Sequence, residues 1–177
     1  MRAQVIYESI FGNTRDVAEA IAAGLRDRPD VDAVSVSEVG SAPAQLDDVD
    51  LLVIGGPVHA WSMSRPGTRE GARLEAEQLH QEPVSRGEGI RDWLERLPAT
   101  TREIQAASFD TAIKSAWSLS GSAAKPAAKR LRARGLTMIA DPTHFFVAGK
   151  HGPMLEGELE RARAWAAQLP LTAQGAK

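Results

Sequence analysis

The sequence contains no cysteine, which excludes disulfides, thiolate catalysis and Cys-ligated metal or iron–sulfur centres. Net charge is small, −2 over 177 residues, where a nucleic-acid partner calls for a basic balance. No apolar run approaches the roughly 20 residues of a membrane-spanning helix. The chain opens directly into a strand pattern, without the charged and apolar regions of a signal peptide, so a soluble, cytoplasmic protein is expected. No Gly-x-Gly-x-x-Gly follows a strand and no phosphate loop ends in Gly-Lys-Ser/Thr; a Gly-x-Ser-x-Gly elbow is also missing. The four histidines lack a paired metal-ligand spacing, and structural roles are expected for His144 and His151.

What is present is concentrated near the start. Val5, Ile6 and Tyr7 favour a buried strand. A short polar turn follows, Glu8-Ser9-Ile10-Phe11-Gly12-Asn13-Thr14. Beyond it Val17, Ala18, Ile21 and Leu25 recur on one helical face. A strand, a hydroxyl-rich turn and a helix N-terminus together make an anion site, because the first N–H groups of the helix are unpaired and the helix dipole adds positive charge there. Ser9 and Thr14 can donate to phosphate oxygens, and Gly12 and Asn13 tolerate the positive φ of a tight loop. The plainer reading of the same residues is an N-cap turn with Thr14 at its centre.

Further along, Val31, Val34 and Val36 suggest a second strand, and Asp50 to Gly56 is a continuous apolar run fit for a central parallel strand. Gly55-Gly56-Pro57 stops it and opens a loop. The stretch 62–89 is irregular, with a short helix expected over 68–79. Ile90, Trp93, Leu94 and Leu97 keep helical spacing up to Pro98. Residues 104–109 form an alanine-rich strand candidate, a helix is expected over 122–134, and 136–147 holds a fifth strand bent near Asp141-Pro142. Leu155, Leu159, Ala162, Ala166 and Leu169 mark a terminal helix over 155–169. This alternation implies an α/β fold with a parallel sheet covered on both faces. Ligands in such sheets sit beyond the carboxyl ends of the strands at a topological switch point.

These residues resemble the flavodoxin family, whose signature is an apolar strand, an aromatic residue, a hydroxyl residue, a turn closing on Gly-Asn-Thr, and a helix. Here the match is Val5 to Thr14, continued by Val17-Ala18-Glu19-Ala20-Ile21. The resemblance implies one flavodoxin-like domain over the chain, a three-layer sandwich with a five-stranded parallel sheet in the order 2-1-3-4-5, carrying an extended segment at 62–89. It also implies bound FMN, with Ser9, Ile10, Phe11, Gly12, Asn13 and Thr14 at the phosphate. In the family the loop after the third strand covers one side of the flavin ring; here it supplies Pro57, Val58, His59, Ala60 and Trp61. Trp61 either stacks on the ring or fills a gap beneath the loop, and His59 is either a ligand or simply solvated. Asp110 and Thr111 stand where the ribityl chain or ring edge passes. Trp117 is a second stacking candidate or ordinary packing, and Lys114 a cation for the ring's carbonyl edge or a surface lysine.

The sequence departs from electron-transfer flavodoxins in its third-strand loop, which carries His59, Arg65 and Arg69 rather than acidic residues. It also lacks a tyrosine after the fourth strand, Tyr7 being the only one. The expected function is an FMN-binding redox protein taking part in electron transfer with a redox partner protein. Two alternatives stand beside it: an NAD(P)H-dependent FMN oxidoreductase acting on a quinone-like small acceptor, and a flavodoxin-like interaction module that has lost FMN. No catalytic acid or base is assigned. A receiver domain of the same fold is excluded, because Ser9-Ile10 and Gly55-Gly56-Pro57 stand where it needs acidic residues.

Overall fold

Strand β1 (Arg2–Tyr7) starts the chain and its apolar residues are buried from Ala3 onward. The computed structural model describes residues 1–114 and 121–172. After β1 come α1 (Asn13–Arg26), β2 (Ala33–Glu38), β3 (Leu51–Pro57), α2 (Pro66–Gln78), α3 (Ile90–Arg96) and β4 (Gln105–Ile113). The chain then forms α4 (Ala124–Ala133), β5 (Thr137–Met138), β6 (Thr143–Val147) and α5 (Glu158–Ala167). The strands are parallel, in the order β2-β1-β3-β4-β5, with β6 also paired to β4. The fifth position of the sheet is therefore shared by two segments. β5 pairs with Gln105 and Ala106, and β6 with Phe109 to Ile113. The expected bend falls between them at Asp141-Pro142, where proline has no N–H for the ladder.

Successive residues of a strand face opposite sides, and this divides the core in two. Val5, Val53 and Phe109 pack with Val17, Ile21 and Leu25 of α1 and Ala162 and Ala166 of α5. Ile6, Leu52 and Ile54 pack with Trp93 and Leu94 of α3 and Ala127 and Leu131 of α4. The central strands are buried on both faces, which is why β3 reads as an unbroken apolar run rather than an alternation.

The 62–89 stretch contributes α2, close to the expected helix. Its start is set by Pro66 in the first turn and by Thr68, whose Oγ1 accepts from the Arg65 N–H at 2.8 Å. Ala72 and Ala76 of α2 pack against Ile10 and Phe11, so the helix rests on the turn after β1. The segment behind it continues the contact. Val84 N–H donates to Ile10 O at 3.1 Å, and Ser85 N–H to Ser9 O at 2.6 Å. Among the described residues no helix is long and apolar enough to cross a membrane.

Candidate functional site

The strand order reverses between β1 and β3, and a cavity of about 270 Å³ lies beyond their carboxyl ends. Its floor is the turn after β1. Ser9, Ile10, Phe11, Asn13 and Thr14 line it. Gly12 sits at φ 91° as the N-cap of α1, a conformation that a side chain disfavours. Ser9 Oγ accepts from the Gly12 N–H at 3.1 Å, which leaves its own proton free to donate. The N–H groups of Asn13, Thr14 and Arg15 begin α1 and have no acceptor within the helix. Thr14 Oγ1 lies 2.8 Å from Thr111 Oγ1, tying the helix start to β4.

The walls are mostly apolar. Pro57, Val58, His59 and Ala60 form one side, and Thr111, Ala112, Ile113 and Val147 the other. His59 N–H donates to Ser62 O at 2.8 Å and Ser62 N–H returns to His59 O at 3.1 Å. The turn so closed holds Ala60 at φ 43° and Trp61 at φ 70°, left-handed conformations that cost an ordinary residue on the order of 1 kcal/mol or more. Burial, with smaller contributions from the positive charges of Lys150 and Arg69, lowers the His59 imidazole to about 4. It is neutral at pH 7, with one ring nitrogen donating and one accepting.

Two expected cofactor residues do not reach the cavity. Trp61 is 70% exposed and does not line it. Its backbone is held instead, with Trp61 O accepting from the Ser122 N–H at 3.2 Å. The approach is so close that a Cβ on Gly121 would lie 2.1 Å from Trp61 O. Asp110 is fully buried and faces away from the cavity, as its alternation with Thr111 along β4 requires. Its Oδ2 accepts from Ser122 Oγ and from the N–H groups of Ala123 and Ala124 at 2.8–2.9 Å, so it caps α4. Its Oδ1 lies 2.6 Å from His144 Nδ1. Lys114 also stands apart, with Nζ 4.1 Å from the Phe146 ring centre. Trp117 lies outside the described residues.

Two residues that sequence reasoning passed over belong to this region. Lys150, on the loop after β6, lines the cavity. Glu8 is 1% exposed beneath the turn, its Oε2 accepting from the Ile90 N–H at 2.9 Å and its Oε1 without a partner. Burial raises the Glu8 carboxyl above the usual range, against the Ser64 hydroxyl, the Ile90 N–H and the Arg69 charge. A carboxylate between a strand of apolar residues and a polar turn was the available signal for Glu8. For Lys150 it was a Gly-Lys-His-Gly-Pro loop at a strand's carboxyl end.

A doubly wound parallel sheet with this order, and a polar turn at its switch point, defines a flavodoxin-like α/β protein. Residues 4–70 match the family model described as Flavodoxin domain. A flavodoxin from the domain Archaea is similar in structure, at 22% identity, 96% coverage of each chain and a TM-score of 0.63. Oxidised Flavodoxin 1 from Bacillus cereus is similar at 15% identity, 97% of this chain and 100% of that one, with a TM-score of 0.61. A flavodoxin described as WrbA-like, from Agrobacterium tumefaciens, is similar at 15% identity, 95% and 94% coverage and a TM-score of 0.53. No curated protein matches the chain in sequence. Residues 4–70 thus carry the sequence pattern of a flavodoxin domain, and the described chain as a whole has the flavodoxin-like fold.

Proposed function

We propose that the chain binds FMN non-covalently in this cavity and takes part in electron transfer. The reading is carried by one observation: a helix N-terminus, three hydroxyl side chains and a pair of largely apolar walls converge on one cavity at the switch point. The donor set fits a phosphorylated flavin. Ser9, Thr14 and the first N–H groups of α1 suit a phosphate, and among the described residues no carboxylate lines the cavity to repel it. Pro57, Val58, Ala60, Ala112 and Ile113 suit a flat, largely apolar ring.

When bound, the flavin supplies the redox chemistry. The protein's own residues hold it and exclude water. Ser9 and Thr14 would hold the phosphate, Thr111 would stand by the ribityl chain or ring edge, and Val58, Ala112 and Ile113 would offer the ring apolar surface. The neutral His59 offers a donor and an acceptor without adding charge. The partner is a redox protein or the pair of NAD(P)H and a small acceptor, and a nicotinamide titration separates these.

The test is an absorbance spectrum of purified protein mixed with FMN and desalted. Flavin bands near about 370 and 450 nm, a general property of flavins, remain with the protein under this reading. Protein that elutes colourless and leaves FMN fluorescence unquenched overturns it. Bleaching of the bands by NADH or NADPH then assigns an enzyme, and reduction only by a protein donor assigns a carrier.

A further inference from the structure

The loop between β6 and α5 leans on the phosphate turn with three consecutive residues. Lys150 lines the cavity. The His151 ring meets the Phe11 ring edge-on, with centres 4.6 Å apart. Gly152 lies against Asn13 so closely that a Cβ there would stand 2.5 Å from Asn13 Oδ1. The loop is thus fixed beside the start of α1 by contacts on both sides of the turn. Lys150 is the only charged side chain among the described residues that line the cavity.

Glu75 of α2 reaches across the turn to the same loop. Its Oε2 pairs with Lys150 Nζ and its Oε1 lies 2.7 Å from His151 Nε2. The Lys150 partner, then the His151 partner, hold the Glu75 carboxyl below the usual range. The Lys150 side chain is 61% exposed in this pair, and exposed ion pairs contribute little. The ammonium is therefore easily exchanged from a carboxylate to a more highly charged anion. Glu75 keeps His151 as its partner when Lys150 leaves.

We infer that Lys150 makes this cavity select a phosphorylated flavin over the same ring and ribityl chain without phosphate, with Glu75 competing for its charge. The inference rests on the FMN reading. The helix N-terminus supplies partial charge and N–H donors, and Lys150 adds a full charge. A charge-assisted hydrogen bond is stronger than a neutral one. A ligand without the phosphate gains nothing from Lys150 and leaves it on Glu75.

Fluorescence quenching of FMN and of riboflavin at low salt, titrated with wild type, Lys150→Met, Lys150→Arg and Glu75→Gln, tests this. Lys150→Met is expected to weaken FMN binding about tenfold or more, the scale of a charged hydrogen bond, and riboflavin binding by less than about twofold. Lys150→Arg restores FMN binding. Glu75→Gln tightens FMN by up to about fivefold, the scale of an exposed ion pair, and leaves riboflavin unchanged. If Lys150→Met changes both flavins equally, or neither, the inference is overturned while the FMN reading stands. Wild type that binds neither flavin overturns the FMN reading and this inference with it.

Discussion

Thr14 Oγ1 and Thr111 Oγ1 stand 2.8 Å apart with both residues buried, joining the first turn of α1 to the end of β4 at the edge of the cavity. Ninety-seven residues separate them in the chain. Replacing Thr111 with valine keeps the shape and leaves the Thr14 hydroxyl without this partner. Thr111→Val is expected to lose about 1–2 kcal/mol of stability in urea unfolding, the scale of an unmet buried hydrogen bond. FMN affinity is expected to fall about tenfold for Thr14→Val, through loss of one donor to a charged group.

Asp110 joins α4 to β6, because one oxygen caps the helix and the other meets His144. Asp110→Ala removes both at a fully buried position and is expected to destabilise by about 3 kcal/mol or more. His144→Ala removes one partner and is expected to destabilise less. Urea unfolding of the two variants checks the order; equal effects contradict it.

These two cases mark what the sequence makes legible. The turn after β1 is readable because strand, turn and helix are contiguous, so one short stretch carries the whole geometry. The central strands are readable from their apolar runs, and the break at Asp141-Pro142 from proline chemistry. For Asp110, proximity in sequence to Thr111 hides the alternation that sends the two side chains to opposite faces, leaving Asp110 outside the cavity lining. For Trp61, residue type suggests stacking, whereas the structure leaves the side chain exposed on a left-handed backbone, outside the cavity lining. For Lys150 the Gly-Lys-His-Gly-Pro loop marks a place at a strand's carboxyl end, but the packing of that loop on Asn13 and Phe11 is a long-range contact.

Glu8 gives a pH dependence whose sign follows from its raised titration. The folded state holds the proton more tightly than the unfolded chain, so Glu8 contributes most below the ordinary carboxylate range. That contribution is lost as pH rises through the folded value. Glu8→Gln lacks this slope. Chemical denaturation of both proteins between about pH 4.5 and 8 is expected to show the balance shifting toward Glu8→Gln as pH rises. A constant gap between the two contradicts a raised Glu8 titration.

His59 has the opposite direction. With its folded value lowered to about 4, the unfolded chain takes up the proton first. Stability from the neutral ring is complete above the ordinary histidine range, near about 6.5, and falls as pH drops toward the folded value. NMR titration of the ring protons is expected to show no more than about a tenth of His59 protonated at about pH 5, a unit above its folded value. A midpoint near the ordinary histidine value places the ring in open solvent and removes it from the cavity wall.

Amide chemical-shift mapping on titration with FMN tests the central claim most directly. The account predicts that the largest shifts fall on Gly12, Asn13, Thr14 and Arg15, with a second group on Val58 to Ala60 and Thr111 to Ile113. It also predicts that Gly149 to Gly152 move with the phosphate turn. Shifts confined to other faces of the sheet, or none at saturating FMN, contradict a flavin site at the β1–β3 switch point.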